Sequence, residues 1–153
     1  GVRLARLSAE DRAEAMSLVR RMESGGGLPD PKDLARFGAL MESADTFDPL
    51  PSSPEDDALM TFSPDIFRAV WPEAAELRRN GTLLRRSGQV ACPVVAVHAE
   101  YKPHPAAGVR EPLTDALGDF SFVLLPKCGH TPWTERHARA AFYQALRATL
   151  REA

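Results

Sequence analysis

The sequence predicts a mixed α/β chain: helices over the first half, then a strand-helix-strand-helix unit. Three observations carry this. Apolar residues recur at three-to-four spacing up to about Gln89, the helical period. Pro93 to His98 is a near-continuous run rich in β-branched residues, which suits a parallel strand covered on both faces. A second short apolar run, Phe120 to Leu125, follows after an amphipathic stretch, and another amphipathic stretch follows it. The change of period divides the chain into a helical region, 1–89, and a strand-containing region, 90–153.

The helical region reads as follows. Ser8 caps a helix with Ala13, Met16, Val19 and Met22 on its apolar side, and Gly25-Gly26-Gly27 stops it. Asp30 with Pro31 opens a second helix carrying Leu34, Phe37, Leu40 and Met41 on one side. Asp45 to Pro64 is a long connector rich in Pro, Ser and Asp, anchored by Leu59, Met60 and Phe62. Ser63-Pro64 starts a helix through Ile66, Phe67 and Val70, which Pro72 is expected to kink or restart. Asn80-Gly81 ends it. A short helix over 82–86 follows.

In the second region, Ala106 to Leu117 reads as a helix with Val109, Leu113, Ala116 and Leu117 on one side. Thr134 to Leu150 reads as a terminal helix turning Ala138, Phe142, Ala145, Leu146 and Leu150 inward. The crossover between two parallel strands is right-handed as a rule, and ligands in such sheets bind at the carboxyl ends of the strands. Both strand-to-helix loops, one after His98 and one after Leu125, lie at those ends.

Composition narrows the function. A length of 153 residues suits one ordinary domain, and 44% hydrophobic with 26% charged residues is a globular balance. A formal net charge of -2 gives no electrostatic argument for nucleic acid or an anionic membrane as partner. The arginine pairs Arg20-Arg21, Arg78-Arg79 and Arg85-Arg86 read as solvated helix faces. Cys92 and Cys128, each beside an apolar strand, favour free buried thiols in a reducing compartment over a disulfide frame. No run approaches the length of a membrane span and no signal core opens the chain, so a cytoplasmic location is expected. Cys92, His98, Cys128 and His130 lack the paired spacing of a zinc module, so no metal and no cofactor is implied. His98 and His104 read as structural or loop-shaping, and His137 as a residue on the surface of the terminal helix. Ser52-Ser53 reads as a turn, and Met16, Met22, Met41 and Met60 as fillers of the helical core.

Two loops carry a resemblance. "CGHTPW", Cys128 to Trp133, resembles the histidine loop of the α/β-hydrolase family, and "PVVAVHAEYKPHP", Pro93 to Pro105, resembles its acid loop. The resemblance covers the second half closely and the helical first half more loosely, as a lid. It implies the C-terminal part of an α/β-hydrolase fold: a helical lid over 1–89, and two parallel strands with helices over 90–153. The last two strands of that fold carry the acid and the histidine of a Ser-Asp-His triad. The resemblance therefore makes His130 the inherited general base.

Two departures qualify this. The sequence contains no Gly-x-Ser-x-Gly, the nucleophile elbow that belongs to the first half of that fold. In the acid loop, Ala99 stands at the family's glycine and Lys102 at its catalytic aspartate. A lysine ammonium only donates and is positive, so it opposes a charged imidazolium where a carboxylate would stabilise it. Glu100 is the substitute acid if the loop is rearranged. The expected activity is hydrolysis of an ester or other acyl-type bond in a small molecule, with this chain inactive alone. The alternative is a non-catalytic remnant that binds a ligand or a partner protein. Pairing with a complementing chain, or with a second copy as a homo-oligomer, is expected because the strand at Pro93 to His98 is left with an open edge.

Overall fold

The computed structural model describes residues 1–24, 30–51 and 64–152. Its helices in the first region are α1 (Val2–Arg6), α2 (Ala9–Ser24), α3 (Pro31–Asp45), α4 (Pro64–Arg79) and α5 (Thr82–Ser87). Then come β1 (Val94–Ala99), α6 (Ala107–Ala116), β2 (Phe120–Leu125), a 3-10 turn (Pro132–Thr134) and α7 (Arg139–Glu152). Among the described residues β1 and β2 form one parallel sheet, with Val94 opposite Phe120 and Ala99 opposite Leu125. The chain is therefore a mixed α/β protein with its two strands where the apolar runs place them.

Local signals explain the helix starts. The Ser8 hydroxyl accepts from Asp11 N at 3.0 Å and donates to the Asp11 carboxylate at 2.7 Å, so Ser8 caps the N-terminus of α2. Asp30 accepts from Lys32 N at 2.7 Å with Pro31 in the first turn of α3. Gly81 sits at φ 72°, which lets the chain leave α4 and enter α5 without a bend of several residues. The expected stop at Gly25-Gly26-Gly27, and the Ser52-Ser53, Leu59, Met60 and Phe62 readings, lie outside the described residues.

Two cores hold these elements. The first joins α1, α2 and α3 through Leu7, Ala15, Leu18, Leu40 and Ala44, with Leu4, Met22, Phe37 and Met41 packed against it. Leu18 is almost wholly buried, which stabilises the trio by about 2 kcal/mol on ordinary transfer values. The second lies between the sheet and α7: Ala99, Leu125, Cys128 and Ala138 are buried, and Val97, Val123 and Phe142 pack on them. Residues alternate across a strand, so His98 and Phe122 belong to the opposite face, where their rings stack with centroids 5.9 Å apart.

Several expectations change. The inward face of α2 runs through Ala15, Leu18 and Met22, while Ala13 and Met16 are exposed. Met16 therefore does not fill the core. α4 continues as one helix across Pro72, which removes one backbone hydrogen bond without ending it. β1 extends one residue beyond His98, to Ala99, and α7 starts at Arg139, after a 3-10 turn and a short connecting stretch. Leu146 and Leu150 are exposed, because α7 runs on past the two strands that cover Phe142. Cys92 is exposed and only Cys128 is a buried thiol. No described helix is long and apolar enough to cross a membrane.

Candidate functional site

The parallel register brings the two carboxyl-end loops side by side. Glu100 N donates to Leu125 O at 2.9 Å, which extends the ladder by one step. Tyr101 N then donates to Cys128 O at 2.9 Å, so the two loops are joined directly by backbone. The Glu100 carboxylate accepts from Lys127 N at 3.1 Å, and Lys127 adopts φ 49° to present that N–H. Lys102 N closes a tight turn on Ala99 O at 3.2 Å. Glu100 thus bridges the loops at the level of Lys127.

His130 follows Cys128 by two residues in the second loop. Its backbone N–H donates to Asp45 O at 2.9 Å, which seats the histidine loop on the C-terminal end of α3. His130 is an exposed residue, yet desolvation of its ring leads the causes that lower its imidazole pKa, followed by the Lys102 ammonium. Asp45 opposes this, and Arg3 and His104 add to the lowering. In a side chain this open, the Lys102 charge is the cause that a substitution can remove. Lys102 lies close enough to act on His130, His98 and Cys128 alike.

Two carboxylates that the sequence reading passed over organise this region. Asp45 is almost fully buried and takes a forked pair from Arg3: Nε donates to Oδ1 at 2.8 Å and Nη2 to Oδ2 at 2.6 Å. Glu135 has no exposed surface, and its two oxygens accept three backbone N–H groups: Gly129 at 2.9 Å, Phe47 at 2.9 Å and Asp48 at 2.8 Å. A buried charge is tolerable when its lone pairs are met by donors in this way. Gly129 is required here, since a Cβ would overlap Glu135 Oε1 and Asp45 O and stand 2.8 Å from Thr46 Cα.

Further contacts tie the helical region to the loops. The Arg6 guanidinium lies 3.6 Å from the centroid of the Tyr101 ring, and its Nη1 donates to Tyr101 O at 2.7 Å and Ala44 O at 3.1 Å. Residues 46–50 lie along 134–137: Pro49 bridges Glu135, Leu50 N donates to Thr134 O at 2.7 Å, and Arg136 N donates to Asp48 O at 3.0 Å. His137, expected on the terminal helix, stands before it and meets the Asp48 carboxylate at 3.0 Å. Phe47 packs edge-on to Tyr101, with centroids 5.3 Å apart.

The remaining titratable groups fill in the picture. His98 is almost fully buried, and its Nδ1 has no hydrogen-bond partner among the described residues. Burial first, then Lys102, lowers its pKa. Burial pushes the Cys128 thiol up to about 11, with the Glu135 carboxylate adding to it. Among the described residues no group of three or more His, Cys, Asp or Glu side chains could hold a metal.

With this geometry in place, the chain can be set beside known proteins. No family model matches it, and no curated protein matches it. Among solved structures it is similar to a proline iminopeptidase of Mycobacterium smegmatis, with a TM-score of 0.48 and 19% identity over 95% of this chain. The chain spans half of the length of that protein. This is a likeness of backbone course, and the chemistry rests on the chain's own residues.

Proposed function

We propose that this chain is the lid-bearing, C-terminal part of an α/β-fold hydrolase acting on an ester or other acyl-type bond of a small molecule. In this reading 1–89 is the lid and 90–153 belongs to the catalytic core. The observation that carries it is the junction of the two loops at the carboxyl ends of β1 and β2, where Tyr101 N donates to Cys128 O two residues before His130. A serine from a segment bearing the nucleophile elbow attacks the carbonyl. His130 accepts the serine proton and returns it to the leaving group. The oxyanion hole comes with the same segment, so the chain has no turnover alone.

Lys102 supports a second reading, a non-catalytic relative that binds a ligand or partner through the cleft under the lid. A positive side chain at the acid position disfavours the imidazolium that the reaction must form. Loss of the acid lowers turnover by about 10⁴ in serine proteases.

Reconstitution separates the two. The purified chain is combined with the N-terminal half of an active family member, and hydrolysis of activated esters is followed. Lys102→Asp is expected to raise activity above that of the unmodified complex, and His130→Gln to abolish it. Complete inactivity of both the Lys102 and the Lys102→Asp complexes, with association intact, supports the binding reading. A large loss in Glu100→Gln with no change in Lys102→Asp assigns the acid to Glu100. Sedimentation of the chain by itself tests the open edge of β1: a dimer or larger species is expected, and a monodisperse monomer with a cooperative melt excludes it.

A further inference from the structure

The outer face of α7 concentrates positive charge beside a groove. From Arg136 to Arg151 the chain carries Arg136, Arg139, Arg147 and Arg151 and no acidic residue, although the protein as a whole has a formal net charge of -2. Three of these arginines, with two neighbours, line an open groove of about 600 Å³: Arg136, Arg139, Ala140, Tyr143 and Arg147. Among the described residues the one carboxylate that meets this set is Asp48, 3.3 Å from Arg136 Nε. Arg147 lies over the Tyr143 ring at 5.8 Å, and neither Arg139 nor Arg147 has an acidic partner among the described residues.

We propose that this groove binds a small soluble polyphosphate anion. Arginine forks match phosphate oxygens two at a time, and each phosphate group brings up to about two charges. Arg139 and Arg147 are eight residues apart on one helix, about 12 Å along its axis at the backbone, so a ligand with more than one phosphate group can engage both. Tyr143 supplies a flat floor between them. A net-negative protein does not attract anions diffusely, so affinity has to come from this local field. The proposal does not depend on the hydrolase reading.

The test is calorimetric titration of the full chain with sodium tripolyphosphate at low salt. Saturable binding is expected, weakened at least tenfold in Arg139→Gln/Arg147→Gln. Arg20→Gln/Arg86→Gln, which removes the same charge from exposed positions elsewhere, is expected to bind like the parent. An equal loss in both double variants would mean a diffuse charge effect and overturn the proposal. So would the absence of saturable binding, tighter binding of a polyglutamate peptide, or capture by phosphatidylserine vesicles without binding of tripolyphosphate.

Discussion

Glu135 Oε1 accepts the Gly129 N–H at 2.9 Å, and the same carboxylate holds Phe47 and Asp48. One buried side chain thus joins the loop that carries His130 to the strand-like segment that follows α3. Gly129→Ala is expected to destabilise the fold by more than about 3 kcal/mol, since the new methyl meets backbone and a buried oxygen that cannot swing away. Glu135→Gln replaces one acceptor oxygen by an N–H donor facing other donors, at a cost of about 2–3 kcal/mol. Urea denaturation of both variants checks the order. A Gly129→Ala protein as stable as the parent would mean that the two segments are not in contact.

The Asp45 pair with Arg3 allows a milder prediction. Arg3 is partly open to water while Asp45 is not, with side-chain exposures of 37% and 7%. Asp45→Asn leaves the fork half-satisfied and is expected to cost about 1–3 kcal/mol, less than a fully buried pair would. Arg3→Lys, which keeps the charge but loses the fork, is expected to fall between the two. Thermal melts of the three proteins give the ranking.

The thiols are expected to differ in chemistry. Cys128 is buried with its pKa pushed up to about 11, whereas Cys92 is exposed. The thiolate is the reactive form. Alkylation with iodoacetamide at neutral pH, followed by peptide mass spectrometry, is expected to label Cys92 quickly and Cys128 only under denaturing conditions.

Acid is expected to weaken the fold through two histidines. His98 and His130 both have pKa values lowered from the ordinary imidazole value, each by desolvation first and by Lys102 second. An unfolded chain therefore binds more protons than the folded one as the pH falls past the ordinary imidazole value of about 6.5. Stability is present above that value and is lost as the pH falls toward the lowered folded values. Urea midpoints measured from pH 8 to 5 should decline, and Lys102→Met should move both histidine titrations upward in NMR.

Much of the fold was legible from local chemistry. The Phe120 to Leu125 run is β2 at both ends, and Asp30-Pro31 opens α3, because these signals lie within a few residues of one another. The inward face of α2 was not. Ala13, Met16 and Val19 keep helical spacing as well as Ala15 and Leu18 do, and the choice is made by Leu7, just after α1, and by Leu40 and Ala44 of α3. The exposed Leu146 and Leu150 fail for the same reason: periodicity marks an apolar stripe without saying how far the covering sheet reaches. Asp45 and Glu135 did not stand out in the sequence, since burial of a carboxylate depends on donors 42 and 88 residues away. The one local hint was an acidic residue following a glycine-histidine loop ahead of a helix.

The docking of residues 46–50 against 134–137 also sets the order in which the chain can fold. Phe47 and Glu135 are separated by 88 positions, while the paired strands are offset by 26. Closing a long loop costs entropy before its contacts give any return. During synthesis from the N-terminus, α1 to α3 can pack as soon as they emerge, because their core is contained within the first 44 residues. The N–H groups of Phe47 and Asp48 remain hydrated until Glu135, 88 and 87 residues further on, has left the ribosome. The seating of the histidine loop is therefore a late event in folding, and a translational pause before residue 135 would leave the three-helix unit formed with its docking strip unpaired.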